Sequence, residues 1–306
     1  MLKIAILGGT GLLGSNLFLL YQKKGLDVRV FSRNSSDSIP TSFNTLLDFE
    51  RSFDTLTEAL TGWKPDIIIN AIANVNLQVC EEKQAEAHKI NVDFPQQFSL
   101  LAQALGSYYI HISSDHFYDD GLLKHTERDV CLPINHYAAT KLKAENVVLE
   151  AYPSSLIVRT NIIGFRRTER PSFFEWLINA LYKEEEITLY EDYFTSPIAV
   201  QQLGKILLDC YSHHLRGIYN IASRDVISKY EFGLETARQF GFSTQAIKKG
   251  SLALANAQSP LKRSRFLGLD VSKVESALQI KMPSVIETIE ELHQEFCYHQ
   301  EEKYEL

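Results

Sequence analysis

Cysteine is scarce and scattered: Cys80, Cys131, Cys210 and Cys297 share no Cys-x-x-Cys and no paired spacing. That pattern argues against a disulfide framework and against a metal site, and predicts reduced thiols in a cytoplasmic protein. Long apolar runs are missing too. No stretch reaches the roughly 18 apolar residues that a membrane span needs, and the apolar stretch near the N-terminus reads as a strand, too short for a signal segment. Basic residues are outnumbered, 31 Lys and Arg against 38 Asp and Glu, for a net charge of −7. A surface built for nucleic acid or anionic lipid is therefore not expected. Repeats, low-complexity tracts and Ser/Gly linkers are also lacking. What is there, 306 residues with 45% hydrophobic and 23% charged, suffices for one large α/β unit or two lobes.

The chain is organised around Leu2 to Gly14, Leu-Lys-Ile-Ala-Ile-Leu-Gly-Gly-Thr-Gly-Leu-Leu-Gly. An apolar run of strand type (residues 2–7) ends in glycines spaced by three, Gly8, Gly11 and Gly14, and a helical pattern follows with Leu13, Leu17 and Leu20 on one side. Gly8 permits a tight turn, Gly11 leaves no side chain between backbone and a pyrophosphate, and Gly14 lets the helix approach the sheet. The first-turn amides, around Thr10, Leu12 and Leu13, then face an anion that the helix dipole also favours. This predicts dinucleotide binding; a glycine turn without a ligand is the alternative.

The second strand, residues 27–32, ends in Ser32-Arg33-Asn34, with no carboxylate before Asp37. A hydroxyl and a guanidinium at this tip suit a ribose 2′-phosphate better than a 2′-hydroxyl, so NADP(H) is favoured over NAD(H). Further strands are expected at 45–48, 65–71, 108–113 and 155–160. Helices are expected at 51–60, at 81–105 with Ala85, Ile90, Phe98, Leu101 and Leu105 inward and a kink at Pro95, and at 137–151. The alternation predicts a Rossmann-type doubly wound parallel sheet over residues 1–160, with 199–222 returning to it. Residues 161–306 are expected to form mainly a smaller α/β substrate lobe. Beyond residue 160 the pattern predicts helices at 173–182, 199–210 and 229–240, strands at 187–190 and 218–221, and pieces near 244–248 and 283–296. A substrate would occupy a cleft between the lobes.

The sharpest chemical signal is Tyr137-Ala138-Ala139-Thr140-Lys141. Residues four apart share a helix face, so the Lys141 ammonium is expected beside the Tyr137 phenol. A cation there stabilises phenolate and draws the phenol's pKa of about 10 toward neutrality. Such a tyrosine can protonate a carbonyl oxygen as hydride arrives, with Ser113-Ser114 at the tip of the fifth strand to polarise that carbonyl. A chance surface pair is the bland reading of the same spacing.

With these residues in hand, the chain resembles the extended short-chain dehydrogenase/reductase family, and within it the dTDP-4-dehydrorhamnose reductase branch. The likeness runs over nearly the whole chain. It includes residues 8–14, Pro65-Asp66-Ile67-Ile68-Ile69-Asn70-Ala71-Ile72-Ala73, Ser113-Ser114-Asp115-His116-Phe117-Tyr118, Tyr137 to Lys141, Val158-Arg159-Thr160 and Glu191 to Pro197. The resemblance implies Ser114, Tyr137 and Lys141 as the catalytic triad, with Lys141 also holding the nicotinamide ribose. It implies Asp48 and Phe49 near the adenine and Ala71, Ile72 and Ala73 along the cofactor. Ser114, Asp115, Thr160, Asn161 and Trp176 are the substrate-side candidates. Departures occur at Ile72, His116, Thr195 and Ile198, the last two in the substrate-side motif.

The expected reaction is NADPH-dependent reduction of a 4-keto nucleotide sugar. A nucleotide-sugar epimerase and a non-catalytic NADP-binding regulatory subunit are the alternatives. A 4,6-dehydratase would want a carboxylate base where His116 stands. The resemblance also makes a homodimer through the helices at 81–105 and 137–151 possible. Asn91 reads as a helix-face amide, with positioning of an active-site water as the alternative. Arg166, Arg167, Lys262 and Arg263 are candidates for a substrate diphosphate or solvated loop charges, and His213-His214 reads as surface.

Overall fold

The computed structural model describes residues 1–36, 38–49, 51–118, 120–166 and 170–304, with side chains through Tyr298. Asp37 and Arg167, both named above, lie outside the described residues. The chain divides into two compact units: Met1–Ser114, Pro133–Arg159 and Leu207–Tyr219 form the first, and Asp115–Leu132, Thr160–Ile206 and Asn220–Leu306 the second. The division differs from the sequence expectation at residues 115–132, and of the expected 199–222 only Leu207–Tyr219 fall in the first unit. Residues 115–132 are tied within the second unit, His125 N donating to Gly268 O at 3.0 Å and the Glu127 side-chain Oε1 accepting from Asn220 N at 2.8 Å. With this segment the second unit nearly equals the first in length.

In the first unit β1 (Lys3–Leu7), β2 (Asp27–Ser32), β3 (Asn44–Leu46), β4 (Ile67–Asn70), β5 (Tyr108–Ile112) and β6 (Leu156–Arg159) join Gly217–Asn220 in a seven-stranded parallel sheet. From one edge the order is Gly217–Asn220, β6, β5, β4, β1, β2, β3. The strand order reverses between β1 and β4, and a ligand site in a doubly wound sheet lies beyond the carboxyl ends at such a point. Three strand ends come level there: Leu7 pairs with Asn70, and Asn70 with His111.

Around this sheet run α1 (Leu12–Lys23), α2 (Phe53–Trp63), α3 (Leu77–Glu82), α4 (Gln84–His88), α5 (Phe94–Leu105) and α6 (His136–Ala151). Ile67, Ile68 and Ile69 are buried to the last atom or nearly so, each contributing about 1.5–3 kcal/mol of apolar burial. Ile68 packs with Phe31, Phe49, Leu56, Phe98 and Tyr109 among the residues of one core.

The long helix expected over 81–105 is broken. Lys83 leaves helical geometry with φ −123°, and Lys89–Asp93 form a π turn closed by Phe94 N–H to Lys89 O. Helical geometry then continues through Asp93 and Phe94 into α5, with Pro95 in that helix's first turn. The break and the wide turn shift the helical phase, so Ala85 is exposed and Ala87 is buried in its place.

The second unit builds its core from Phe174, Leu177 and Leu181 of the helix Phe173–Tyr182, Leu189 of the strand Ile187–Tyr190, Phe232, and Ile289 and Leu292 of the helix Val285–Tyr304. Its strands are short: Ile187–Tyr190 pairs in parallel with Ile247–Gly250, and Phe194–Thr195 lies between Ile227–Ser228 and Phe266–Leu267. Helices Leu252–Gln258 and Ser272–Leu278 carry no amphipathic run long enough to be foreseen. Among the described residues no helix is long and apolar enough to cross a membrane.

Candidate active site

The glycine turn closes on itself. Gly8 has φ +88°, a conformation that L side chains rarely adopt, and its N–H bonds Phe31 O at 2.8 Å. A Cβ on Gly8 would sit 2.9 Å from Ile72 Cγ1 and 3.0 Å from the Ala71 carbonyl carbon, so the turn lies against the loop that follows β4. At Gly14 a Cβ would meet Gly8 O at 2.4 Å. Gly9, outside the spacing of three, is tighter still, with Val30 Cγ1 at 1.8 Å. Gly11 differs from all of these: it is exposed, and a Cβ there would meet only Gly8 O at 3.4 Å. The helix it precedes has no side-chain cap and no acidic residue in its first turn. An exposed glycine in front of uncapped, outward-facing amides fits a dinucleotide pyrophosphate. Thr10 and Leu12 are half-buried here and Leu13 is buried.

At the tip of β2 the two candidates separate. Ser32 is buried, and its hydroxyl lies 2.7 Å from Asn34 O and 2.8 Å from Asn44 Oδ1. Arg33 is exposed and is the side chain there with free reach for a phosphate. Asp48 is exposed and ion-pairs with Arg51 at 3.7 Å, whereas Phe49 is buried edge-on to Phe98 at 5.8 Å between centroids. Phe49 is thus held by the core. Ala71, Ile72 and Ala73 are half-buried along the loop after β4.

The end of β5 and the start of α6 carry the polar machinery. Asn135 caps α6, its side chain accepting from Ala138 N at 2.9 Å. The helical repeat then aligns Tyr137, Lys141 and Glu145, all buried. Tyr137 packs with Cys80, Ala87 and Leu77. Lys141 Nζ donates to Ile112 O at 2.8 Å and lies 3.4 Å from His111 Nε2. Burial pulls its pKa down to about 8 against the opposing pull of Glu145. Burial, and then the charge of Lys141, hold the His111 imidazole well below its usual range, so it is neutral. Glu145 is held by both Nε and Nη2 of Arg159, the latter at 2.7 Å, and accepts from Ser113 Oγ at 2.6 Å. Ser113 is therefore engaged with a buried ion pair, and Ser114 is buried beside it.

Asn91 lies buried on the π turn, its amide engaged by protein groups. Its Oδ1 accepts from Asn74 N at 2.7 Å, while Nδ2 donates to Asn74 O at 3.1 Å and Thr140 Oγ1 at 3.0 Å. It clamps the loop after β4 to the residue before Lys141, and it does so from the π turn, a device common at functional sites. His111 and Glu145 were not singled out from sequence. A polar residue inside a buried strand and a carboxylate one turn beyond Tyr-x-x-x-Lys are the signals that could have found them.

In the second unit Asn161 Nδ2 donates to Asp115 Oδ2 at 2.6 Å. Burial raises the Asp115 carboxyl, opposed by His116 and by that bond. Thr160 is buried, and its hydroxyl has no partner among the described residues. Trp176 is 41% exposed beside Phe173. Arg166 is half-buried, Lys262 and Arg263 are exposed, and His213 and His214 lie on the surface.

A family model described as the RmlD substrate binding domain matches residues 2–297. The chain is 25% identical over 299 residues to a probable low-salt glycan biosynthesis reductase of Haloferax volcanii, covering 95% of this chain and 97% of that one. It is 24% identical to the dTDP-4-dehydrorhamnose reductase of Escherichia coli over 241 residues, 74% of this chain and 79% of the other. Among solved structures, a dTDP-4-dehydrorhamnose reductase from Bacillus anthracis in complex with NADP superposes with a TM-score of 0.82 at 22% identity, over 96% of this chain and 99% of that one. At that identity the superposition shows the shared fold.

Proposed function

Because the chain belongs to the family of the RmlD substrate binding domain, we propose that it is an NADPH-dependent reductase of a 4-keto nucleotide sugar. Its relatives named reductases, and the NADP in the Bacillus anthracis structure, support the class of reaction. The observation that carries the reading is the buried file Tyr137, Lys141 and Glu145 on α6, in the same unit as a glycine turn with uncapped amides.

NADPH, when bound, supplies the hydride. The chain's own residues do the rest. The α1 amides behind Gly11 bind the pyrophosphate, and Arg33 meets the 2′-phosphate, which favours NADP(H) over NAD(H). Ser114 and Tyr137 hold the carbonyl oxygen, and Tyr137 passes it the phenolic proton as charge develops there. Lys141, as ammonium, stabilises the phenolate left behind. Asp115, Thr160, Asn161 and Trp176 of the second unit are assigned to the sugar nucleotide.

Incubation with NADPH and a panel of dTDP-4-keto-6-deoxyhexoses, followed at the nicotinamide absorbance band, tests this. Oxidation is expected, and Tyr137→Phe should abolish it. No oxidation with any keto sugar of the panel overturns the reading.

A further inference from the structure

Ile72 N–H donates to Asn70 Oδ1 at 3.0 Å. A backbone N–H can only donate, so this bond fixes the Asn70 amide with its oxygen toward Ile72 and its nitrogen toward β5. That nitrogen, Nδ2, is 3.2 Å from His111 Nδ1. Since Nδ2 carries only hydrogens, His111 Nδ1 must accept, and a neutral imidazole with Nδ1 as acceptor bears its proton on Nε2. Nε2 is the atom that faces Lys141 Nζ, at 3.4 Å. The chain of bonds thus begins at an invariable donor and ends with an N–H directed at the lysine. Asn70 and His111 are both fully buried, and Lys141 is 1% exposed. No bulk water therefore intervenes to screen the arrangement.

We propose that His111 is a positioning residue that presents Nε2–H to Lys141, so that the lysine gains a hydrogen bond as a free amine and faces a like-signed dipole as an ammonium. The other groups about Lys141 act differently. Glu145, one turn further along α6, favours the ammonium, but its carboxylate is shared with Arg159 of β6 and with Ser113 of β5's end. Tyr137 lies one turn back on the same helix face. Ile112 O accepts from either form of the lysine. His111 is thus the group of this set that opposes the charge. Lys141 is held as an amine–ammonium couple with a pKa of about 8, so that the ammonium can pass a proton to the neighbouring phenolate and be left as the amine. A fixed cation could not do that.

The proton-return role rests on the reductase reading above, but the tautomer and the lysine titration do not. Both are measured on the whole protein without substrate. Long-range 15N correlation spectra of the imidazoles should show His111 as the Nε2–H tautomer at pH 7. With 13Cε-labelled lysine, and Lys141→Arg to assign the signal, Lys141 should titrate about 2 units below an ordinary lysine. His111→Asn keeps an acceptor for Asn70 but is too short to reach Nζ, and should raise that midpoint by about one unit. His111→Gln restores an N–H near the Nε2 position and should leave the midpoint within a few tenths. A packing role would move both variants alike. An Nδ1–H tautomer in the wild-type protein overturns the proposal whatever the variants do, and so does an unmoved midpoint in His111→Asn. Should the tautomer and midpoint come out as expected while no keto sugar is turned over, the reductase reading alone fails.

Discussion

Ser113 Oγ donates to Glu145 Oε1 across 2.6 Å, so of the two serines that follow β5 one is locked into a buried ion pair. The two positions should therefore respond oppositely to the same substitution. Ser114→Ala should lower kcat by about 10²–10³, the typical effect of losing one donor to a developing oxyanion. Ser113→Ala should keep turnover within a few-fold but leave a buried carboxylate short of a donor, at about 1–3 kcal/mol of stability. Urea midpoints and initial rates on both variants decide it; equal losses of rate would refute the division.

Glu145 is buried completely and its partner Arg159 almost so. Removing one member of such a pair strands the other's charge, so Glu145→Ala should cost about 3–5 kcal/mol. The double variant Glu145→Ala, Arg159→Met should cost less than Glu145→Ala alone, because no unpaired charge remains. Chemical denaturation of both proteins reads the difference, and a double variant weaker than the single one would contradict the argument.

The glycines divide by what a Cβ would meet. At Gly14 it would strike backbone, Gly8 O at 2.4 Å, whereas at Gly11 it would make only an ordinary contact, with Gly8 O at 3.4 Å. Gly14→Ala should destabilise the fold by shifting α1 off the turn. Gly11→Ala should leave the urea midpoint nearly unchanged and weaken NADPH binding at least tenfold, by placing a methyl where the pyrophosphate approaches. Titration of NADPH by fluorescence checks the second claim, and unchanged affinity in Gly11→Ala would remove the phosphate from this turn.

Arg33 is exposed while Ser32 is buried in bonds to Asn34 and Asn44, so the proposed preference for a 2′-phosphate rests on the guanidinium. Charge-assisted bonds of this kind contribute about 1.5–3 kcal/mol. Arg33→Ala should raise the KM for NADPH by roughly tenfold or more while hardly changing that for NADH. If the ratio of the two constants does not move, cofactor choice is made elsewhere.

Much of this was legible in the chain. The β2 strand at 27–32, the strand at 187–190 and the helix at 173–182 lie where the pattern puts them, because their buried apolar residues recur at strand or helix spacing. The interrupted stretch 77–105 was not legible, since a π turn keeps helical composition while changing its phase. Nor was the wiring of the site. Asn91 to Asn74 and Thr140, His111 to Asn70 and Lys141, and Ser113 to Glu145 join residues 17 to 49 positions apart. Periodicity shows which face is buried; it does not show which buried polar groups meet. Ser32 and Phe49 illustrate the same limit, one engaged by neighbouring polar groups and one by the aromatic core.

Lys141 also makes stability depend on pH in a predictable direction. Its pKa is about 8 in the folded protein and about 10.4 when unfolded. Between those values the unfolded chain binds more protons, so ΔG of unfolding rises with pH there, by at most 1.36 kcal/mol per unit for one such group. Below pH 8 the full cost of burying the ammonium is present. Cys80 and Cys210 act the other way, because burial raises their thiols to about 11 and about 12 and stability falls as the unfolded thiols ionise. A single stability curve therefore mixes both signs, and the contrast with Lys141→Met isolates the lysine. Relative to that variant, the wild-type protein should gain about 1–2 kcal/mol between pH 8 and pH 10 in urea denaturation. Parallel curves across that window would mean that Lys141 keeps an ordinary pKa, and with it an ordinary ammonium beside Tyr137.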